Sequence, residues 1–328
     1  MEVGNSGVQF HHRRYQRRAY GLCDGMRFFL NGIKREGVER ERERWGGGVV
    51  VVEEEEEEVE VARGGAGKEK RKRKKKYGVL VCAEEEPEYV REAHGGYFKM
   101  FVRLLGDEGE TWHLFRAARG ELPTAADAAA FDGFVVTGSC SDAHGPDPWI
   151  ADLAHLLQTL AAARTTILLG FCFGHQILSR ALGGKTGRAV NGWDIGVTCI
   201  HPSNSTLKLL SSLHIPSHLP VIECHRDEVW ELPPNAEVMA RSEKTGIEMF
   251  RYGDHVMGIQ GHPEYTKDIL LHLIDRLLQR NLIQMSHAED AKASLEAREP
   301  DREAWQRLCK SFLKGKLPQL KPLPIEDE

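Results

Sequence analysis

The chain is predicted to adopt an α/β fold in which a mostly parallel, twisted sheet carries helices on both faces. Two observations support this prediction. Between Tyr77 and Gly315, short apolar runs typical of β-strands alternate with amphipathic helical patterns. Two of the apolar runs end in clusters of reactive polar residues, as expected at the carboxyl ends of strands in an α/β sheet. The first 76 of the 328 residues, by contrast, carry long blocks of like charge.

The individual elements are assigned from hydrophobic periodicity, with continuous or alternating apolar runs read as strands and a period of 3.6 residues read as helices. The length suits one compact domain with an appendage. No stretch approaches the roughly 20 apolar residues of a membrane span, so we expect no membrane association. The predicted strands are Tyr77–Cys82, Thr111–Arg116, Gly133–Thr137, Thr166–Gly170, Leu219–Cys224, Val238–Ser242, Ile247–Tyr252 and His255–Gln260. The predicted helices are Tyr97–Leu105, Asp147–Arg164, His175–Leu182, Thr266–Arg280 and Arg302–Lys314.

One apolar run leads directly into a cysteine flanked by glycines. Residues 166–169 are followed by the sequence GFCFG at 170–174 and then by a helical pattern. This is the strand–turn–helix arrangement of a nucleophile elbow, with Cys172 in place of the usual serine. The two glycines allow the close backbone approach that a tight turn needs, and the N-terminus of the helix favours the thiolate. The alternative is a buried structural cysteine at the end of a strand.

A second apolar run ends in a histidine and a glutamate. The sequence VMGIQGHPE at 256–264 places His262 and Glu264 just after a predicted strand. A cysteine nucleophile needs a base to take its proton, and that base needs a group that orients it. We expect His262 to be the base and Glu264 to orient its ring. A structural histidine at a strand end is the alternative, and the presence of the cysteine motif argues against it.

With these two motifs, the chain resembles the class I glutamine amidotransferase family, whose members use a Cys-His-Glu triad. The matching motifs are GFCFGHQ at 170–176 and GHPE at 261–264, in the family's order. Within this family the chain is most similar to the plant γ-glutamyl peptidases. The resemblance implies a class I glutamine amidotransferase-like, flavodoxin-like domain over residues 77–315 and a tail at 316–328. The other segments that carry the resemblance are 95–117, 132–145, 224–233, 247–265 and 300–315.

The predicted reaction also needs N–H donors for the oxyanion that forms when sulfur attacks an amide carbonyl. The first donor is the backbone N–H of Phe173, the residue after the nucleophile. We expect the second donor from Gly138 or Ser139, in the loop after another apolar strand. Members of the family usually have two glycines and a proline here, so Ser139 alters the backbone freedom and the depth of the pocket. An ordinary β-turn is the alternative.

Candidate substrate-binding residues follow from the same resemblance. Gln176 lies one helical turn after Cys172 and faces the same side, and the resemblance implies that it contacts the glutamyl group. The segment that starts at Cys224 matches the second glutamyl-binding segment, where family glutaminases often have Asn-His-Gly. Here Asp227 suits a substrate α-ammonium, and Arg226 suits an α-carboxylate. A surface ion pair between these two neighbours is the alternative.

Residues 1–76 are predicted to be a disordered, solvated extension. They contain six consecutive glutamates, Glu53–Glu58, and a basic run at 68–76, and such blocks rarely pack into a core. The basic run is also typical of nuclear localisation signals, and acidic residues from Glu36 onward argue against a long transit peptide. The seven cysteines contain no CxxC pair, which indicates a reducing compartment. We therefore expect the protein in the cytosol.

The resemblance implies one of two functions. The first is a γ-glutamyl peptidase that hydrolyses the γ-glutamyl amide bond of glutathione, its S-conjugates or related γ-glutamyl peptides through a thioester on Cys172. The second is a glutaminase subunit that supplies ammonia to a separate synthetase. The absence of a P-loop motif and of an acceptor domain favours the first. We expect no cofactor, no metal and a small-molecule substrate. The net charge of −5 argues against nucleic acid, and the oligomeric state is left open.

Overall fold

The computed structural model describes residues 50–52 and 73–317. Within these ranges the chain forms strands and helices that alternate along most of the sequence. The strands are β1 (Val50–Val52), β2 (Lys76–Leu80), β3 (Thr111–Phe115), β4 (Gly133–Val136), β5 (Ile167–Phe171), β6 (Lys185–Arg188), β7 (Asp194–Pro202), β8 (Leu219–His225), β9 (Asp227–Glu231), β10 (Ala236–Arg241), β11 (Met249–Tyr252) and β12 (Val256–Ile259). The helices are α1 (Glu88–His94), α2 (Gly96–Leu105), α3 (Ala125–Ala128), α4 (Pro148–Ala163), α5 (Phe173–Ala181), α6 (Asn204–Ser212), α7 (Lys267–Gln279), α8 (Met285–Ala297) and α9 (Arg302–Leu313).

A single large sheet organises the domain, in the order β1-β3-β2-β4-β5-β12-β11-β10-β7-β8. The strands from β1 to β12 in this order pair in parallel. The pairings from β12 to β8 are antiparallel. Strands β6 and β9 form a separate antiparallel pair. The prediction of a mostly parallel sheet is confirmed, and the antiparallel strands extend it on one side.

Helices cover both faces of this sheet, as predicted. On one face, Phe101 of α2 and Trp305 of α9 are completely buried in the same apolar cluster as Leu169 of β5. On the other face, Leu153 of α4 and other apolar side chains of α4 and α5 pack against Leu168. Because adjacent residues of a strand point to opposite faces, Leu168 and Leu169 anchor the two layers. A strand buried on both sides reads as a continuous apolar run, which explains the sequence signal of β5.

All predicted strands and helices occur in the structure, with ends that differ by no more than about two residues. The prediction missed β6, β7, β9, α1, α3, α6 and α8. The most consequential omission is β7, which pairs with β8 over seven residues. In the part of the chain that the structure describes, no helix is long and apolar enough to span a bilayer.

The domain begins earlier than the predicted boundary at Tyr77. Arg73 and Lys75 bind Asp132 at 2.8 Å and 2.7 Å, and Lys76 already belongs to β2. Strand β1 lies inside the segment predicted to be disordered, yet it pairs in parallel with β3. Three residues of the predicted extension therefore form a strand. The rest of the predicted extension and the tail from residue 318 lie outside the described residues.

Candidate active site

Cys172 occupies the sharp turn between β5 and α5. Its backbone has φ 49° and ψ −105°, a conformation that side-chain-bearing residues rarely adopt. A Cβ at Gly170 would lie 2.4 Å from the carbonyl oxygen of Gly174, and one at Gly174 would lie 2.2 Å from that of Val136. Neither position therefore has room for a side chain. The two glycines of the motif hold the strand–turn–helix arrangement that the sequence predicted.

His262 and Glu264 meet Cys172 at the carboxyl edge of the sheet. Strands β5 and β12 are parallel neighbours, so the segments that follow them emerge side by side. The Nδ1 atom of His262 lies 2.8 Å from Oε1 of Glu264, and both side chains are buried. Gly138 lies over the pair, since a Cβ there would be 2.9 Å from Cε1 of His262 and 3.7 Å from Cβ of Cys172. The structure thus brings the three predicted catalytic residues together.

Burial determines the ionisation of the nucleophile. It raises the pKa of the Cys172 thiol well above its usual range, and the nearby Cys224 and Glu223 act in the same direction. A hydrogen bond from the backbone N–H of Phe173 has the opposite effect but is weaker. Burial therefore outweighs the helix N-terminus, which was expected to favour the thiolate. The raised pKa favours the thiol form of Cys172, so we expect the reaction to use a base such as His262.

The predicted oxyanion donors surround the same sulfur. The N–H of Phe173 points at Cys172. The loop that carries Gly138 and Ser139 is fixed by Thr137, whose hydroxyl donates to the carbonyl of Gly138 at 3.0 Å. Among the described residues, no acceptor takes the N–H of Gly138 or of Ser139. These N–H groups are therefore free for a ligand at the nucleophile.

A cavity of about 340 Å³ opens beside the sulfur. Its volume lies within the range of small-molecule sites. Its walls combine polar groups, several of them around β9, with apolar and guanidinium groups from α7 and the segment after it. The lining includes Gly138, Ser139, Cys140, Asp142, Cys172, Gln176, Arg188, Cys224, Arg226, Asp227, His262, Glu264, Leu273, Arg276, Leu277, Arg280 and Leu282.

All four predicted substrate-binding residues line this cavity, but their contacts differ from the expected ones. The amide nitrogen of Gln176 donates to the backbone carbonyl of Asp227 at 2.9 Å and to Oε1 of Gln260 at 3.1 Å. Only its oxygen remains for a ligand. Cys224 is partly buried, which raises the pKa of its thiol to about 12. Arg226 is exposed and makes no ion pair with Asp227.

The partner of Asp227 is instead Arg188, a residue that the sequence analysis missed. Its Nη1 lies 2.5 Å from Asp227, and its Nη2 lies 2.9 Å from Asp142. Burial raises the pKa of Asp227, and the guanidinium of Arg188 opposes this shift. Arg188 and Asp227 are paired residues of the β6–β9 sheet, which was not predicted. No local motif links them.

Tyr265 is a second residue that the sequence analysis missed. Its ring stacks on that of His262 with centroids 4.0 Å apart and planes 3° from parallel. Because Glu264 holds one edge of the imidazole and Tyr265 covers one face, the ring has little freedom. The sequence signal that could have identified Tyr265 is its position directly after the GHPE motif.

Comparison with known proteins agrees with this geometry. A family model described as glutamine amidotransferase class-I matches residues 89–272, which include Cys172, His262 and Glu264. The chain belongs to this family. Gamma-glutamyl peptidase 5 of Arabidopsis thaliana is 47% identical over 243 residues, which cover 74% of this chain and 96% of that protein. Gamma-glutamyl peptidase 3 of the same plant is 45% identical over 239 residues, covering 72% and 96%. The predicted family membership is confirmed.

Solved structures of the family share the fold. A glutamine amidotransferase from Methylobacillus flagellatus superposes with a TM-score of 0.54 at 17% identity, covering 78% of this chain and all of that one. One from Thermotoga maritima gives a TM-score of 0.54 at 19% identity, covering 74% and 100%. At this level of identity the likeness concerns the fold alone.

Proposed function

We propose that this family member is a γ-glutamyl peptidase. It hydrolyses the γ-glutamyl amide bond of glutathione, its S-conjugates or related γ-glutamyl peptides through a thioester on Cys172, and it acts in the cytosol. The observation that carries the proposal is the buried group of Cys172, His262 and Glu264 beside a cavity of small-molecule size. The likeness to γ-glutamyl peptidases over most of the chain supports the substrate class.

The first step is proton transfer from Cys172 to His262. Nδ1 of His262 is next to the Glu264 carboxylate, so Nδ1 carries a hydrogen and Nε2 is left as the base. Because burial disfavours a free thiolate, sulfur loses its proton as it attacks the carbonyl carbon. The C–S bond forms while the carbonyl electron pair moves to oxygen.

The remaining steps use the same groups in reverse order. The N–H groups of Phe173 and of Gly138 or Ser139 stabilise the oxyanion, and the C–N bond breaks as His262 returns the proton to the leaving amine. A water molecule then attacks the thioester, with His262 as base, and releases glutamate and the free thiol of Cys172. No step passes through a metal or a nucleotide.

Selection of the γ-linkage depends on the two charged groups at the α-carbon of the glutamyl residue. Asp227 and the oxygen of Gln176 suit the α-ammonium, and Arg226 suits the α-carboxylate. Leaving such a charge unpaired in a closed site is costly, which selects against ordinary α-peptides. Arg276 and Arg280, which also line the cavity, suit the carboxylate of the leaving dipeptide.

A substrate panel tests the proposal. Purified protein is incubated with γ-Glu-Cys-Gly, with its α-linked isomer and with glutamine, and the products are identified by mass spectrometry. We expect glutamate and Cys-Gly from the γ-linked peptide alone, together with a glutamyl adduct on the peptide that contains Cys172. The Cys172→Ala variant is the negative control. Because Cys140 is exposed in the same cavity, Cys140→Ala is the matched control and should stay active.

Other outcomes would reject the proposal. Release of glycine would mean attack at the α-peptide bond. Turnover of glutamine without turnover of the γ-linked peptide would instead support a glutaminase that supplies ammonia to a synthetase. That alternative has some support, because one component of the glutamine-hydrolysing GMP synthase of Pyrococcus abyssi is 39% identical over 99 residues, or 30% of this chain.

A further inference from the structure

A cluster of buried ionisable side chains lies outside the group of reacting residues. Glu223 and His225 are two residues apart on β8, so their side chains lie on the same face of the strand. Glu248 immediately precedes β11. Their exposed fractions are 0%, 3% and 1%. One ligand atom of each of the three side chains lies within 4.8 Å of those of the other two. Two carboxyl groups and an imidazole are thus enclosed together.

The hydrogen bond on the far side of His225 fixes its tautomer. Nδ1 lies 3.0 Å from the backbone carbonyl oxygen of Asp227, which can only accept. Nδ1 therefore carries the hydrogen, and Nε2 of the neutral ring presents a lone pair. This Nε2 faces Oε2 of Glu223 at 3.4 Å. Metal-ligating histidines usually donate their second N–H to a backbone carbonyl or a carboxylate in this way.

The cluster is rich in acceptors and poor in donors. Among the described residues, no donor is found for Nε2 of His225 or for Glu223, apart from the Glu248 carboxyl, and Glu248 contacts only the Ser242 hydroxyl and the carboxyl of Glu223. Within the same part of the chain, no donor is found for Oδ2 of Asp194, whose residue is the cross-strand partner of His225. The other oxygen of Asp194 binds Lys244 at 3.2 Å. Enclosed acceptors with too few donors are unfavourable unless a cation lies between them or a carboxyl group takes up a proton.

One of the three ligand–ligand distances matches that expected for a small divalent ion, and the other two are within 4.8 Å. Two ligands bound tetrahedrally at about 2.1 Å are separated by about 3.4 Å. This matches the separation of Nε2 of His225 and Oε2 of Glu223. The formal charges also balance, because a +2 ion neutralises Glu223 and Glu248 while Lys244 neutralises Asp194.

We propose that Glu223, His225 and Glu248 bind one divalent transition-metal ion, for which Zn²⁺ best fits the donor set of one imidazole and two carboxylates, with Asp194 or water as fourth ligand. The ion is structural. A Cβ at Gly261 would lie 2.5 Å from Oε1 of Glu223, so the site is packed directly beneath the residue that precedes His262. The ion would anchor the His262 segment to β8, and no reaction step involves it.

The test is metal analysis of the tag-free full chain, purified without chelators and without added metal. We expect about one Zn²⁺ per chain by mass spectrometry of the elements, and X-ray data at the zinc edge should place it among the three ligands. The Glu248→Gln variant should lose the ion. Glu237→Gln, an exposed carboxylate on β10, is the matched control and should keep it.

Several results would overturn the site. These are a wild-type content below about a tenth of an ion per chain with no rise in Tm on adding Zn²⁺, an ion located elsewhere, or full retention by Glu248→Gln. If Glu248→Gln does not fold, the zinc-edge data on the wild type decide the question. A metal-free cluster would mean that the two carboxyl groups share protons instead. The result is independent of the peptidase assay, because the metal content is measured without substrate.

Discussion

Replacement of Gly138 by alanine tests how closely the position of the His262 imidazole controls the reaction rate. The new methyl carbon would lie 2.9 Å from Cε1 of His262, whereas carbon atoms in optimal contact are about 3.5–4.0 Å apart. The imidazole must therefore shift by roughly 0.5–1 Å or force the loop to move. It has little room to do so, because Tyr265 stacks on it at 4.0 Å and Glu264 holds Nδ1 at 2.8 Å.

The expected effect is a loss of rate with little loss of binding. A displacement of about 1 Å in a catalytic group costs roughly 100-fold, so we expect kcat to fall about 10- to 100-fold in Gly138→Ala. KM should change little, because the glutamyl-binding groups are elsewhere in the cavity. Alanine keeps the backbone N–H, so the candidate oxyanion donor is not removed. Gly138 does not have positive φ, so alanine fits its backbone conformation.

Steady-state kinetics with the best γ-glutamyl substrate measure this effect, with Tm recorded in parallel. Gly246→Ala is the matched control, because a Cβ there meets nothing within 4 Å and its φ is also not positive. It should behave as the wild type. Wild-type kcat in Gly138→Ala would refute the placement of His262 beneath this loop. An equal fall in both variants would point to a general effect on folding.

The remaining predictions concern the nucleophile, its base and the extension. Cys172→Ala should lower turnover by at least about 1,000-fold, measured as glutamate release, because the covalent route is lost. His262→Ala should be nearly as damaging and Glu264→Ala less so, because orientation contributes less than proton transfer. Alkylation of Cys172 without substrate, followed by peptide mass spectrometry, should accelerate as pH rises far into the alkaline range, because burial raises the pKa of the thiol and the thiolate forms only there. Deletion of residues 1–72 should leave kcat/KM within a few-fold. This deletion removes β1, which lies at the end of the large sheet opposite β8, and it leaves intact the separate β6–β9 pair that carries Asp227.

Each of these predictions has a contradicting result. Turnover of Cys172→Ala above about a hundredth of wild type would exclude the thioester route. A larger loss in Glu264→Ala than in His262→Ala would reverse the assigned roles. An alkylation rate that levels off near neutral pH would indicate a preformed thiolate, and exposed Cys140 provides the comparison within the same sample. A large loss of activity on truncation would show that the extension supports the site.

The sequence predicted the strands that are buried on both faces and the motifs that follow them. These signals are local, because a strand such as β5 is apolar throughout and its carboxyl end carries Cys172. The missed elements lack such signals for a physical reason. Helix α8 buries mainly small side chains, and a Cβ at Gly196 of β7 would lie 2.3 Å from Oγ of Ser294. Close approach of β7 and α8 requires small residues, which weakens the hydrophobic periodicity of both.

In the active site, too, residues in local motifs were predicted and residues joined by contacts between strands were not. Cys172, His262 and Glu264 belong to motifs whose spacing along the chain identifies them. The pairing of Arg188 with Asp227 depends instead on two strands that were not predicted, β6 and β9. Arg226 lines the same cavity as Asp227, but the two residues do not form an ion pair. Contacts across a sheet therefore had to come from the structure.

The backbone conformation of Cys172 lowers the stability of the fold, whereas its side chain is needed for the reaction. A backbone with φ 49° and ψ −105° costs a cysteine roughly 1–3 kcal/mol, whereas glycine adopts it freely. Removing the side chain here should therefore relieve part of the strain while it abolishes the chemistry. A mutational screen that selects only for folded protein would enrich Cys172→Gly, and one that selects for turnover would eliminate it. Residue 172 is thus a position where the two kinds of selection give opposite answers.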